Sequence, residues 1–251
     1  MKKNYLCAFI PARKNSKRIK DKNILNLYNH PLIAYTIQNA IRSNCFYKIF
    51  CITDNKIYSE IAKYYGAECP LIRPKKISLD NSPDIEWVKW FLNYLFEKNI
   101  RCDAFSILRP TSPLRTHKTI KRAVKNFYEN SQGHSLRAVE KCKQHPGKMW
   151  IYKNKLIKPL INKKIKETPW HSSQYANLPL VYEQNASLEI AWTKTVKKYN
   201  SISGNKIIPF FTKKNEGYDI NTMEDINYLK YQLKNKNVSL VRIGKRSWFD
   251  I

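Results

Sequence analysis

Two periods of apolar residues alternate along the chain. Tyr5 to Ile10, Lys48 to Thr53, Glu68 to Ile72 and Ala104 to Leu108 are short, nearly continuous apolar runs, the pattern of buried strands. Between them the spacing turns helical. Ile33, Ile37, Ala40 and Ile41 follow Pro31, which suits the first turn of a helix, and Ile57, Ile61 and Tyr64 precede a stop at Gly66. Ser82-Pro83-Asp84 is a helix start, and Ile85, Val88, Phe91, Leu92 and Leu95 give that helix an apolar face; Ile120, Ala123, Val124 and Phe127 form another. Strand and helix in strict alternation predict an α/β domain, a parallel sheet with covering helices.

The rhythm breaks between Gln144 and Gln184, where Pro146, Gly147, Pro159, Pro169 and Pro179 interrupt any helical face. This stretch reads as an insertion, so that residues 1–143 and 185–251 form the α/β domain and 144–184 a separate segment. Its aromatics, among them Trp150, Trp170, Tyr175 and Tyr182, suit packing or an interface. Beyond it, Leu188 to Trp192 and Ile207 to Thr212 read as strands, and Ile226, Leu229 and Leu233 as a closing helix capped by Thr222 and Asp225. Ser239 to Ile243 reads as a further strand.

Composition adds bounds. The 251 residues can bury a sizeable core, and 46 Lys+Arg against 19 Asp+Glu leave a formal charge of +27, which favours anionic partners without choosing between nucleotides, nucleic acid and a membrane surface. Six cysteines lie far apart, without C-x-x-C spacing, which speaks against zinc and redox sites and for free thiols. No apolar run is long enough to span a bilayer, and the expectation is a soluble, cytoplasmic protein with no membrane insertion.

The candidate chemistry lies in loops. Pro11 ends the first strand, and Arg13, Lys14, Lys17, Arg18 and Lys20 follow among small polar residues, a composition that suits a polyphosphate. The loop has no glycine, which excludes a P-loop or a dinucleotide fingerprint. Its place at the carboxyl end of a strand is where α/β folds bind ligands. Arg109-Pro110-Thr111-Ser112-Pro113-Leu114-Arg115 follows another strand, with Arg115 able to clamp an anion. Asp219, in a loop that no helix cap explains, is a natural Mg²⁺ ligand.

Taken together, I-P-A-R-K-N-S-K-x6-N (Ile10 to Asn23), L-I-R-P-x4-L-D (Leu71 to Asp80), R-P-T-S-P-L-R (Arg109 to Arg115), Gln184-Asn185-Ala186 and Y-D-I-N-T-x-E-D (Tyr218 to Asp225) resemble the acylneuraminate cytidylyltransferase (CMP-sialic acid synthetase) family, in order over residues 5 to 233. The resemblance implies a Rossmann-like mixed sheet of the GT-A nucleotidyltransferase type, with the inserted segment making a homodimer. It also implies a reaction of CTP with a nine-carbon 2-keto sugar acid that gives a CMP-sugar and pyrophosphate with Mg²⁺. By position, Arg13, Lys17 and Asp219 are the implied catalytic residues, Asp219 also binding the metal. Ala12, Asn15, Ser16, Asn23, Arg73, Asp80, Ser82 and Arg109 join Arg13 and Lys17 around the nucleotide. Thr111, Ser112, Arg115, Lys148, Gln184 and Asn185 are implied for the sugar.

Four departures bear on substrate. Lys14, Asn15 and Arg18 replace usual glycines, Arg109 stands where Gln is common, and Asn221 replaces a second acidic residue. Tyr175 and Glu183 occupy the places of arginines that face the sugar carboxylate, so legionaminic, pseudaminic or another 2-keto sugar acid is as open as sialic acid itself. A nucleic-acid binder, the other class the charge admits, is disfavoured because no groove-reading helix or aromatic single-strand platform is present.

Overall fold

Alternation along the first strand decides which helices cover which face of the sheet. The computed structural model describes residues 5–14 and 16–251. In β1 (Leu6–Pro11), Leu6, Ala8 and Ile10 join one buried cluster with residues of α1 (Leu32–Ser43), α2 (Lys56–Tyr64) and α4 (His117–Glu129). Cys7 and Phe9 point the other way, into a cluster with Trp87, Val88 and Phe91 of α3 (Asp84–Glu97) and Val196 of α5 (Thr193–Tyr199). Phe9 stacks on Phe105 at 5.0 Å between ring centroids and meets Phe91 edge-on at 5.2 Å. Such pairs contribute about 0.5–1.5 kcal/mol each beyond area burial.

The central sheet has six strands. With β2 (Lys48–Ile52), β3 (Ala104–Ile107), β4 (Ser135–Lys141), β5 (Tyr182–Trp192) and β6 (Ile207–Phe211), the order is β6-β4-β5-β3-β1-β2. β1 runs parallel to both β2 and β3, while β5 lies antiparallel to β3. The sheet is therefore mixed. The sequence pattern misses β4, whose Ser135-Leu136-Arg137-Ala138 carries an arginine on a half-buried position. The run Glu68 to Ile72 is not a full strand but two parallel bridges, Phe50 to Glu68 and Thr53 to Ile72. Residues 239 to 243 form no strand either, because their apolar side chains pack on a cluster with Leu27 and Tyr35 instead of pairing at a sheet edge. Helical spacing misjudged two positions: Ile41 and Ile57 are exposed, and Tyr58, Ile61 and Ala62 form the buried face of α2.

Local chemistry sets the helix ends. Asn55 accepts the Tyr58 N–H to start α2, and Gly66 takes a φ of 103° just after its end, a conformation costly for other residues. Ser82, expected to start α3, instead accepts the Leu79 N–H and shapes the preceding turn. Thr222 and Asp225 form a reciprocal capping box on α6 (Met223–Lys234), which accounts for Asp225 without any chemical role.

The chain divides into two compact units: the stretch ending at Ala138 together with Asn185–Ile251, and Val139–Gln184. The smaller unit consists of two hairpins and short helical turns. Trp150–Lys153 pairs antiparallel with Leu156–Pro159, and Lys164–Ile165 with Thr168–Pro169. Its interior is small and polar. His145 is buried against Trp170, accepts the Gly147 N–H at 3.0 Å and meets the Pro179 carbonyl at 3.0 Å.

Candidate active site

Because β1, β2 and β3 are mutually parallel, the segments that leave their carboxyl ends emerge on one rim of the sheet. β1 delivers the basic loop, β2 delivers Asp54, and β3 delivers Arg109. Backbone bonds fix these exits: the Ala12 N–H reaches the Ile52 carbonyl, the Arg73 N–H the Thr53 carbonyl, and the Leu108 N–H the Phe9 carbonyl. Asp54 then accepts the Lys14 N–H at 2.8 Å, which ties the basic loop to the end of the next strand.

A satellite core holds the loops together. Ile19 of the basic loop, Leu114 of the Arg109–Arg115 loop and Ile220 of the Tyr218–Asn221 loop are buried in one cluster with Leu27, Leu32 and Leu229. The Ile220 N–H donates to the Thr111 carbonyl at 2.8 Å, and Lys22 donates to the Ile220 carbonyl at 2.8 Å. Three apolar side chains thus register loops that lie far apart in sequence.

Between the loops lies a polar cavity of about 300 Å³. Its walls carry Arg13, Lys22, Arg73 and Arg109 on the cationic side, and Asp80, Asp84 and Asp219 on the acidic side. Ser16, Asn23, Ser82 and Thr111 line it as well. A larger cavity of about 480 Å³, between Tyr28, Tyr35 and the segment Val238 to Ile243, is mostly apolar, with Lys236 and Arg242 in its lining but no acidic residue. The polar cavity is the chemical candidate.

Charge pairing organises its walls. Arg13 pairs with one Asp80 oxygen and Lys17 with the other at 2.9 Å. Lys17 and Arg13 hold the Asp80 carboxyl below the usual carboxylate range, so both pairs persist at neutral pH and are lost as pH falls through that lowered value. Arg109 spans Asp84 at 2.5 Å and Glu189 at 3.2 Å. Burial works to raise the Asp84 carboxyl, yet the Arg109 guanidinium and the Trp87 indole N–H outweigh it and hold it low. Burial lowers the Lys22 amine, against the pull of Asp219. Arg73, likewise lowered by burial, donates to the Ile77 carbonyl and lies over the Trp87 ring at 5.8 Å.

Asp219 is unevenly satisfied. Its Oδ2 accepts from the Asn221 side-chain amide at 2.7 Å, while Oδ1 is buried and has no hydrogen-bond partner among the described residues. A buried carboxylate oxygen left unpaired is costly unless a cation completes it. The donor set fits Mg²⁺, which needs one or two protein carboxylates and takes phosphate oxygens and water for the rest. Among the described residues no cluster of three or more His, Cys, Asp or Glu side chains offers a protein-only metal cage.

Other expected residues lie elsewhere. Arg115 is fully buried and bonds to the Ser187 carbonyl, the Thr36 hydroxyl at 2.9 Å and the Arg109 carbonyl at 3.1 Å, so it is a post inside the domain and not an anion clamp. Burial pulls its guanidinium down to about 9, which still leaves it charged at neutral pH. Arg115→Ala should destabilise the protein by about 2–4 kcal/mol, through a cavity and unpaired carbonyls, measured by chemical denaturation. Ser112 is buried too, and its hydroxyl does not line the cavity. Ala12 is buried and contributes backbone only. Asn15 lies outside the described residues. In the smaller unit, Lys148 donates to the carbonyls of His171 and Ser173 at 2.9 and 2.5 Å, and Gln184 is exposed. Asn185 donates to Thr212 at 2.8 Å and accepts the Ser187 N–H at 3.2 Å, which shapes the strand.

Sequence reasoning missed Lys22, Asp84 and Glu189. Lys22 continues the basic run and was legible there; Asp84 looked like a helix-start residue, and Glu189 sits in an apolar strand with no local signal.

Against known proteins, the family model described as cytidylyltransferase matches residues 7–199. The chain is 31% identical over 225 residues to the CMP-N,N'-diacetyllegionaminic acid synthase of Legionella pneumophila, covering 88% of this chain and 92% of that one. It is 39% identical over 122 residues to the N-acylneuraminate cytidylyltransferase of Escherichia coli, a match that takes in 49% of this chain and only 28% of that protein. Among solved structures, a CMP:2-keto-3-deoxy-manno-octonic acid synthetase complexed with CTP superposes with a TM-score of 0.68 at 10% identity, over 93% of this chain and 100% of that one, a likeness of fold.

Proposed function

We infer the reaction from one premise: the chain belongs to the cytidylyltransferase family, matched by its model over residues 7–199. The substrates we propose are CTP and a nonulosonic, sialic-acid-like 2-keto sugar acid, with a CMP-sugar and pyrophosphate as products. The observation that carries this is the polar cavity lined by Arg13, Lys22, Arg73 and Asp219, at the carboxyl rim of the parallel strands. The relatives support the sugar class, since one is named for a diacetyllegionaminic acid and one for an N-acylneuraminate.

In this reading the sugar's anomeric oxygen forms a bond to the α-phosphorus as the bond from that phosphorus to the β-phosphate oxygen breaks. The hydroxyl proton is released and pyrophosphate departs. The protein's task is chiefly to position two anions and to offset charge on the leaving group. Arg13 and Lys17 would exchange Asp80 for phosphate oxygens, and Lys22 would add charge from the floor of the cavity. Asp219 would hold Mg²⁺, which when bound neutralises phosphate charge, and Asn221 would orient the Asp219 carboxylate by its 2.7 Å bond. Pyrophosphate release measured with CTP and a panel of N-acetylneuraminic, legionaminic and pseudaminic acids tests the proposal. Release only when one acid is present supports it, and no release with any 2-keto sugar acid overturns it.

We further propose a homodimer acting in the cytoplasm. Six free cysteines suit a reducing compartment, and no helix among the described residues is long and apolar enough to cross a membrane. The hairpin Trp150–Pro159 exposes Trp150, Ile151, Tyr152, Leu156 and Ile157, more apolar surface than a two-stranded ribbon can use alone. Ile157→Lys should shift the particle from dimer to monomer in light scattering at micromolar concentration. A wild type that is already monomeric there would contradict the dimer.

A further inference from the structure

The register of the sheet puts Glu189 of β5 opposite Ile107 of β3, two residues before Arg109. Glu189 is nearly buried, its side chain 6% exposed, and its two oxygens are held by different arginines, Oε1 by Arg109 and Oε2 by Arg137. Arg137 in turn donates to the Ser203 hydroxyl at 2.6 Å. On its other side Arg109 meets Asp84, which also accepts the Trp87 indole N–H at 2.7 Å. A chain of alternating charges thus runs from the sheet interior to the cavity wall, with cations and anions matched one for one.

We propose that Arg109 is the specificity-determining anchor for the carboxylate of the sugar acid, and that Glu189 is the positioning residue that aims it. The inference rests on the proposed function. Both ion pairs of the Arg109 side chain, to Asp84 and to Glu189, use Nη2, so the Nη1 and Nε hydrogens are unclaimed among the described residues, on a guanidinium that lines the cavity and is 31% exposed. An arginine whose charge is already balanced does little to neutralise a triphosphate. It is well suited to a directional, charge-assisted bond with a monoanion, because buried partners fix its plane before the substrate arrives. Arg13 and Lys17 share the single carboxylate of Asp80, so that pair keeps a net positive charge for phosphate.

The test is steady-state kinetics on the preferred acid of the panel, with CTP binding followed separately by calorimetry, for wild type, Arg109→Gln, Arg109→Lys and Glu189→Gln. Arg109→Gln should raise KM for the acid about 10- to 100-fold, as loss of a charge-assisted bond would, and leave the CTP Kd within about twofold. Arg109→Lys, which keeps the charge and protects the fold, should recover part of that loss. Glu189→Gln should raise the same KM to a lesser degree, and add nothing in the Arg109→Gln background. The acid's carboxamide should be a poor substrate of the wild type and no worse than the acid for Arg109→Gln. A wild type that turns over while Arg109→Gln changes only CTP binding, or leaves the acid's KM alone, overturns this inference and spares the proposed function. A wild type that binds CTP and turns over no 2-keto sugar acid overturns both.

Discussion

Asp219→Asn should lower kcat by about 10²–10³-fold, the scale of removing one preorganised electrostatic contact to a transition state, while leaving the thermal unfolding profile nearly unchanged. The expectation follows from the asymmetry of this carboxylate. Oδ2 is already satisfied by Asn221 and Oδ1 is buried with no partner among the described residues, so the negative charge is kept for something other than the fold. Asparagine preserves size and the contact with Asn221 but removes that charge. It also presents either an amide donor or a weaker acceptor where a cation would sit. Mn²⁺ titrated in the presence of CTP and followed by electron paramagnetic resonance gives a second readout, with tight binding in the wild type and its loss in the variant. Unchanged kcat and unchanged Mn²⁺ binding would remove Asp219 from the site.

Arg13→Ala should lower kcat/KM for CTP by about 10²-fold, with most of the change in CTP affinity at moderate salt. Arg13 is the cation most directly committed to the cavity: its side chain reaches across to Asp80, and its carbonyl accepts from the Asn23 amide at 2.9 Å, so the backbone there is fixed. Removing the guanidinium therefore strips charge without loosening the loop. Lys17, on the same acid but mostly exposed, should matter less, and Lys17→Ala is expected to cost about tenfold. Equal effects of the two, or none, would mean that Asp80 and not phosphate is the real partner of this pair.

What the sequence made legible follows period and punctuation. The strands β1, β2 and β3 are continuous apolar runs with a proline or acid at their ends, and the loops they release carry recognisable chemistry, so the rim of the sheet could be read directly. The strand β4 could not, because Arg137 interrupts its apolar pattern for a reason that lies 52 residues away in sequence, at Glu189. The same non-local pairing hid Glu189 itself. Arg115 misled in the opposite direction: an arginine beside prolines and hydroxyls looks like an anion clamp, and only the neighbouring carbonyls of Ser187 and Arg109 reveal that both its terminal nitrogens are engaged inside the domain. The convergence of the loops depends on Ile19, Leu114 and Ile220, ordinary apolar residues whose joint burial has no periodic signature.

CTP labelled at the α-phosphorus gives the most direct measurement of whether this cavity transfers a cytidylyl group. Incubated with the protein, Mg²⁺ and the preferred 2-keto sugar acid, the label is expected in a CMP-sugar, with unlabelled pyrophosphate released in equal amount. Label that stays in CTP, or that appears only as free CMP irrespective of the acid, would contradict it.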